Sequence, residues 1–339
     1  MKADSSPRIS VVIGACNEED TIARTVQSLL GQTIDNFEII VVDDGSTDDT
    51  AEVVSDFTDQ RIRLITIDQN QGLPGALNSG INAAKGEYIA RADADERSLS
   101  YRLQKQSEVL DEQSDVQAVG CWYTNVGRHG KRIVDERIST DRSFSVRDLL
   151  ENGTGVAHGS MMIRADALSK VGGYREAFQL AQDYDLWLRM AEAFGPGWLH
   201  IVSSVLYERT IEASQLKKRH RQRVYSDAAQ ECARVRTKGE TDVQILEGLP
   251  ERVERAANPQ YTPRELEGMY HYLLATKLLA QNQQGAAQRY LVKALWFAPK
   301  RPRPWYRFVL SCLPSDQRQT IQDWVKNRLQ QFMGGRVPL

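Results

Sequence analysis

Runs of consecutive aliphatic and β-branched residues recur through the first hundred positions, at 9–13, 37–42, 62–67 and 88–92, each closed by a polar or glycine-bearing turn. Apolar residues at successive positions, not alternate ones, are what strands covered on both faces require. Amphipathic stretches lie between them. The first carries Ile22, Val26, Leu29 and Leu30 on one stripe and stops at Gly31; a later one carries Leu77 and Ile81 and is closed by Gly86. This alternation predicts a doubly wound α/β layout. From 117 to 210 the pattern loosens into strands at 118–125, 132–137, 160–164 and 200–207 with a strong helix at 183–194, a mixed-sheet second half of the same domain. Past Thr210 strand signals stop. A basic helical stretch covers 217–236, and Leu274, Ala275, Leu278, Ala287, Leu291, Ala294 and Pro299 have the spacing of one tetratricopeptide-like hairpin at about 268–300. The sequence therefore predicts an α/β domain over 1–212, in halves of about 8–116 and 117–212, and an all-helical extension over 213–339.

Composition narrows the partners. At 339 residues the chain exceeds one ordinary core, and a formal net charge of −2 gives no whole-chain attraction for nucleic acid, so none is expected. Cys16, Cys121, Cys232 and Cys312 are scattered without paired spacing, which argues against a disulfide framework or a zinc site. No stretch approaches the roughly 18 apolar residues of a membrane span, and the N-terminal sequence lacks a secretion-signal pattern. A cytoplasmic chain is expected. The basic run 217–223 and the tail with Lys300, Trp305, Arg307, Trp324, Lys326 and Arg328 read as solvated faces, or as a peripheral contact of the C-terminal helices with the inner face of a membrane or an assembly partner.

In an open α/β sheet, ligands sit beyond the carboxyl ends of the strands. Two acidic clusters fall there, Asp43-Asp44 after the second strand and Asp93-Ala94-Asp95 after the fourth. Asp93 and Asp95 offer hard oxygen ligands for Mg²⁺ or Mn²⁺, which would hold a diphosphate; Asp44 can accept hydrogen bonds from a base or ribose. Nothing after the first strand resembles G-x-G-x-x-G or a P-loop. Asp183 is placed to take a proton from an acceptor hydroxyl, a role compatible with capping the helix that follows. Asp185, in that helix's first turn, reads as structural. His158 precedes a core strand and reads as a packed histidine or, with Gln182, as an acceptor-site residue. Trp122, Trp187 and Trp198 read as core.

Four ordered motifs carry a family resemblance. They are Ser10-Val-Val-Ile-Gly-Ala-Cys-Asn-Glu-Glu19, Glu38-Ile-Ile-Val-Val-Asp-Asp-Gly-Ser-Thr-Asp48, Asn70-Gln-Gly72, and Gly86-Glu-Tyr-Ile-Ala-Arg-Ala-Asp-Ala-Asp95. With Gly159-Ser-Met-Met-Ile-Arg164, Val171-Gly-Gly-Tyr174 and Asp183-Tyr-Asp-Leu-Trp-Leu-Arg189, the chain resembles glycosyltransferase family 2 over roughly residues 8 to 210. The resemblance implies a GT-A fold, Rossmann-like with a mixed sheet, whose first half binds a nucleotide-sugar and whose second receives a glycan or lipid-linked acceptor. It implies an inverting, metal-dependent hexosyl transfer, the donor a uridine one. It also implies that Gly14, Ala15, Cys16, Asn17, Glu18, Asp44, Asn78, Asp93 and Ala94 line the nucleotide-sugar. Asp95 with Asp93 would hold the metal, and Asp183 would be the base.

The chain departs from the family pattern at three points. Gly14 and Cys16 stand where many relatives have Pro and Tyr, Gln182 where an acid commonly precedes the base, and Thr210-Ile-Glu-Ala where a His is often found. Loss of the acid removes a like charge from beside Asp183. Two other functions remain at this stage: a nucleotidyltransferase, disfavoured because Asn17-Glu-Glu-Asp20 is acidic, and a non-catalytic sugar-binding or scaffold protein, disfavoured by the four intact acids.

Overall fold

The computed structural model describes residues 6–127, 130–256 and 259–313. The chain forms two compact units: the first runs to Ile211 and resumes at Arg219, and the second takes Glu212–Lys218 and continues from Pro259.

The first unit is built on one nine-stranded mixed sheet. Its strands are β1 (Ile9–Ala15), β2 (Phe37–Asp44), β3 (Ile62–Ile67), β4 (Tyr88–Arg91), β5 (Arg97–Ser98), β6 (Ala118–Val126), β7 (Arg132–Glu136), β8 (Met162–Arg164) and β9 (Leu199–Thr210). They lie in the order β3-β2-β1-β4-β8-β6-β9-β5, with β7 paired to β6. The β3-β2-β1-β4 portion is parallel; β8 runs against both β4 and β6. Both faces are covered, as the unbroken apolar runs require. Ile9, Val11 and Ile13 point into the cluster that holds Ile22, Val26 and Leu29 of helix Ile22–Leu30, while Val12 and Leu77 of helix Leu73–Ala83 join the cluster on the opposite face. Each such side chain, fully withdrawn from water, contributes about 1.5–3 kcal/mol. The second of these helices lies very close to the sheet. A Cβ on Gly80 would sit 2.5 Å from Val12 Cγ1 and 3.1 Å from Val42 Cγ2.

The boundary read from composition, at 212, differs from the one the packing draws. Helices Arg219–Arg236 and Val243–Arg255 belong to the first unit, because Tyr225, Ala228, Ala229, Cys232, Ala233, Leu249 and Val253 share a core with Trp187 and Trp198. Ion pairs reinforce this packing. Asp185, fully buried, accepts from Arg175 Nε at 3.0 Å and Arg189 Nε at 2.9 Å; Arg175 also reaches Asp242 at 2.6 Å, and Arg236 holds Glu192 at 2.7 Å. The structural reading of Asp185 is thus a charge locked between helices. Trp187 and Trp198 are buried and stacked at 5.9 Å.

In the second unit the described residues are helical: Ser214–Lys217, Pro263–Ala280, Gln284–Phe297 and Pro302–Cys312. The hairpin expected at about 268–300 begins earlier, since Thr262 and Glu265 form a reciprocal capping box that starts the helix at Pro263. Its small contact residues behave as the spacing predicts: Ala275, Ala287 and Ala294 are completely buried. Trp324, Lys326 and Arg328 lie outside the described residues.

Candidate active site

Parallel pairing of β1 with β2 sets Ala15 beside Asp43, so the loops that leave these strands run together. They are tied by hydrogen bonds. Asn17 N–H donates to Ser46 Oγ at 2.9 Å, Thr47 N–H to Asn17 Oδ1 at 2.8 Å, and Glu18 N–H to Thr50 Oγ1 at 2.7 Å. Asn17 adopts a left-handed backbone (φ 58°), a conformation Asn tolerates better than most residues. Asp44, nearly buried, accepts from Gln71 N–H at 2.8 Å, while Asn70 Nδ2 donates to the Asp44 carbonyl at 2.9 Å and to Cys16 Sγ at 3.2 Å. Cys16, Asp44 and Asn70 thus form one linked cluster beside Gly14 and Ala15. Burial raises the Cys16 thiol above its ordinary value, the Asn70 contact opposing, so it stays protonated.

Strand β4 brings the second acidic cluster alongside, with Arg91 opposite Val12. The buried Arg91 guanidinium donates to the Val12 and Ala92 carbonyls, both at 2.8 Å, and to Asp93 Oδ1 at 2.5 Å. Three side chains from two other elements, β9 and helix Ile22–Leu30, pin the loop. Tyr207 Oη accepts from Asp93 N–H at 3.1 Å, Thr25 Oγ1 donates to the Ala94 carbonyl at 2.8 Å, and Thr210 Oγ1 donates to the Asp95 carbonyl at 2.7 Å. Below the loop, Arg102 bridges the Arg91 and Gly159 carbonyls at 2.8 and 2.7 Å and lies over the Tyr207 ring. Gly159 is required here: a Cβ would meet Tyr207 Oη at 2.1 Å and Asp93 Oδ2 at 2.9 Å.

The acids are not equivalent. Burial alone would raise the Asp93 carboxyl, but Arg91, followed by His158 and Arg209, overrides it and holds the group below its ordinary value. Glu96 behaves in the opposite way. Burial, then the charges of Asp93 and Asp95, push its carboxyl well above the usual range, and its Oε2 has no hydrogen-bond partner. Asp93 is therefore held toward its anionic form, and Glu96, three residues on, toward its neutral one.

Helix Gln182–Phe194 carries the candidate base. It starts one residue before Asp183, so Asp183 lies in its first turn instead of at the cap; its Oδ1 accepts from Tyr184 N–H at 2.8 Å. The cap position is Ala181, buried and left-handed (φ 57°, ψ 25°), a backbone state that costs an alanine about 1–2 kcal/mol. Gln182 is buried beside it. His158 sits within electrostatic range of both Asp183 and Asp93. Its Nε2 is 2.7 Å from Tyr174 Oη, and its ring packs edge-on to Tyr174 and Trp187. Burial, aided by Arg91 and opposed by the two aspartates, lowers its pKa to about 4, so the imidazole is neutral at pH 7. Asn78 spends both ends of its amide on Tyr174, accepting from its N–H at 2.9 Å and donating to its carbonyl at 2.8 Å. Its place in the structure is to hold the loop that carries Tyr174.

Sequence reasoning passed over Arg91, Tyr174 and Tyr207 as site residues. The signal for Arg91 was a lone cation inside a strand otherwise apolar on both faces, which a buried position permits only with partners. Among the described residues, no group of three or more His, Cys, Asp or Glu side chains is gathered to hold a metal ion. Two carboxylates on one short loop do fit Mg²⁺ or Mn²⁺ in the mode where phosphate oxygens and water complete the shell.

The mixed sheet, with acidic loops at the carboxyl ends of β2 and β4 and helices on both faces, is an α/β fold of the GT-A class. The family model described as Glycosyl transferase family 2 matches residues 10–172. A putative glycosyltransferase of Bacillus subtilis, EpsE, is 33% identical over 224 residues, which is 64% of this chain and 77% of that one. The chain belongs to glycosyltransferase family 2. It is also 40% identical over 103 residues to an Escherichia coli protein, WfaP, named a UDP-Glc:alpha-D-GlcNAc-diphosphoundecaprenol beta-1,3-glucosyltransferase, a match covering 30% of this chain and 41% of that one. In fold it is similar to TarS 1-349 of S. aureus, with a TM-score of 0.51 at 17% identity over 86% of this chain and 92% of that one. That protein has also been solved with UDP and with UDP-GlcNAc.

Proposed function

We propose that this chain transfers a sugar, with inversion, from a nucleotide diphosphate donor onto a glycan or lipid-linked acceptor in polysaccharide synthesis. Family membership sets the nucleotidyltransferase alternative aside. The observation that carries the reading is the placement of Asp44 at the end of β2 and Asp93 after β4, the two strands that flank β1, with Asp183 in the first turn of helix Gln182–Phe194, in a chain of this family. The UDP complexes of the TarS neighbour and the name of the E. coli relative support a uridine donor.

In this reading the loop from Gly14 to Glu18, with Asp44, receives the base and ribose, and Asp93, kept anionic by Arg91, stays ready for the donor. Asp95, with Asp93, would hold Mg²⁺ or Mn²⁺, which when bound supplies charge neutralisation to the leaving diphosphate. Asp183 accepts the proton of the acceptor hydroxyl as its oxygen bonds to the anomeric carbon. The bond from that carbon to the diphosphate oxygen breaks on the opposite face, which inverts the centre. Neutral His158 donates no charge to this step; with Gln182 it shapes the acceptor side.

The test is a panel of nucleotide-sugars assayed for nucleoside diphosphate release with and without Mn²⁺, in wild type and Asp183→Asn. The variant is expected to bind donor normally and to lose transfer by about 10²- to 10⁴-fold. Loss of nucleotide affinity as severe as loss of turnover would remove Asp183 from the role of base.

A further inference from the structure

The second unit presents a face that the transfer chemistry does not use. On helix Gln284–Phe297, Val292 and Trp296 stand one turn apart and are 52% and 74% exposed; on helix Pro302–Cys312, Trp305 and Val309 repeat the arrangement at 49% and 54%. These four are most of the large exposed apolar side chains among the described residues. Soluble helices rarely leave a tryptophan that open to water.

Charge makes the face specific. Between Gln281 and Leu313 the chain has Arg289, Lys293, Lys300, Arg301, Arg303 and Arg307 and no aspartate or glutamate at all, within a protein whose formal net charge is −2. Arg289 and Lys293 are exposed on the same turns as Val292 and Trp296. Arg301 is turned away to Glu265, 3.9 Å off, and over the Tyr261 ring. The helices are held as a unit from inside: Leu291 and Ala294 are fully buried, Gln288 Nε2 donates to the Ser311 carbonyl at 3.0 Å, and Trp305 Nε1 to the Pro299 carbonyl at 2.8 Å. The four apolar side chains stand outside this internal packing.

We propose that this face, Val292, Trp296, Trp305 and Val309 rimmed by Arg289, Lys293, Arg303 and Arg307, docks on an anionic lipid surface. Indole rings seat at the boundary of headgroup and acyl chain, and the basic rim is drawn to negative headgroups, a pairing of weak terms that gives reversible attachment without a spanning segment. No helix among the described residues is long and apolar enough to cross a membrane. The inference does not depend on which sugar is moved, or on Asp183.

The experiment is flotation of the full chain with vesicles of phosphatidylcholine alone and with 30–40% phosphatidylglycerol (about that range), at low salt and at ~0.5 M salt. Binding is expected only to the anionic vesicles and is expected to weaken at high salt. Lys293→Glu with Arg307→Glu should lower partitioning by tenfold or more, roughly what two reversed charges near such a surface imply. Trp296→Ser should lower it without altering the salt dependence, and each variant should bind nucleotide as wild type does. Absence of flotation, equal flotation on neutral vesicles, or a charge-reversed variant that still floats would overturn the proposal. So would a concentration-dependent dimer dissolved by Trp296→Ser, since the face would then be an interface between two copies.

Discussion

The neutral histidine at the centre of the site makes a quantitative demand on stability. In the native chain His158 titrates at about 4, against 6.5 for an ordinary histidine. As pH falls below about 6.5, the unfolded chain takes up a proton at this position and the native chain does not, so native stability drops and continues to drop until the folded group titrates near 4. A depressed histidine is thus stabilising above its unfolded pKa relative to acid, the opposite sign to a histidine that gains a carboxylate partner. Each unit of difference is worth about 1.4 kcal/mol, so between pH 7 and pH 5 the group alone should remove about 2 kcal/mol. The measurement is urea denaturation of wild type and His158→Gln at both pH values, Gln being able to keep a polar contact with Tyr174 without titrating. The variant's loss of stability on going to pH 5 should be smaller than wild type's by about that amount. If the two chains lose stability in parallel, the imidazole is not buried as a neutral group.

Two further outcomes follow from the layer under the acidic loop. Gly159→Ala should displace the Tyr207 hydroxyl from the Asp93 N–H, costing about 1–3 kcal/mol and weakening donor binding; an alanine variant as stable and as tight as wild type would refute the packing. Glu96, whose folded pKa is raised, contributes stability that is complete below about 4.5 and is lost as pH rises, so Glu96→Gln should gain on wild type between pH 4.5 and pH 8 in thermal melts, and an unchanged difference would show the carboxyl to be solvated.

The sheet was legible in the sequence because its strands are buried on both faces, leaving unbroken runs such as Val11-Val12-Ile13 and Ile39-Ile40-Val41-Val42 that no surface helix would carry. Helix Arg102–Glu112 left no such trace. Its inward face includes Arg102 and Gln106, both fully buried and donating to main-chain carbonyls, and a buried guanidinium is spelled the same way as a solvated one. The acids at the strand ends could be placed by strand order alone. Their electrostatic differences could not, because apart from Arg91 the partners that separate Asp93 from Glu96 come from residues 158, 207 and 209, distant in sequence and adjacent only in the fold.

The cross-linked charges around Asp185 separate what is inherited from what must fold together. The family match ends at residue 172, before Asp183, and the compositional break falls near 212. Yet Asp242, from a segment that neither landmark includes, pairs with both Arg175 and Arg236, and Cys232, Leu249 and Val253 complete the hydrophobic core around Trp187. A protein cut at the first landmark would lose Arg175 and the helix of the base outright, and one cut at the second would keep them while stranding Arg175 without one of its two carboxylates and laying bare the apolar residues packed around Trp187. The piece that keeps this packing whole is therefore longer than the segment the family model matches, and a shuffling event that borrowed only that segment would carry the vocabulary of the site without its grammar.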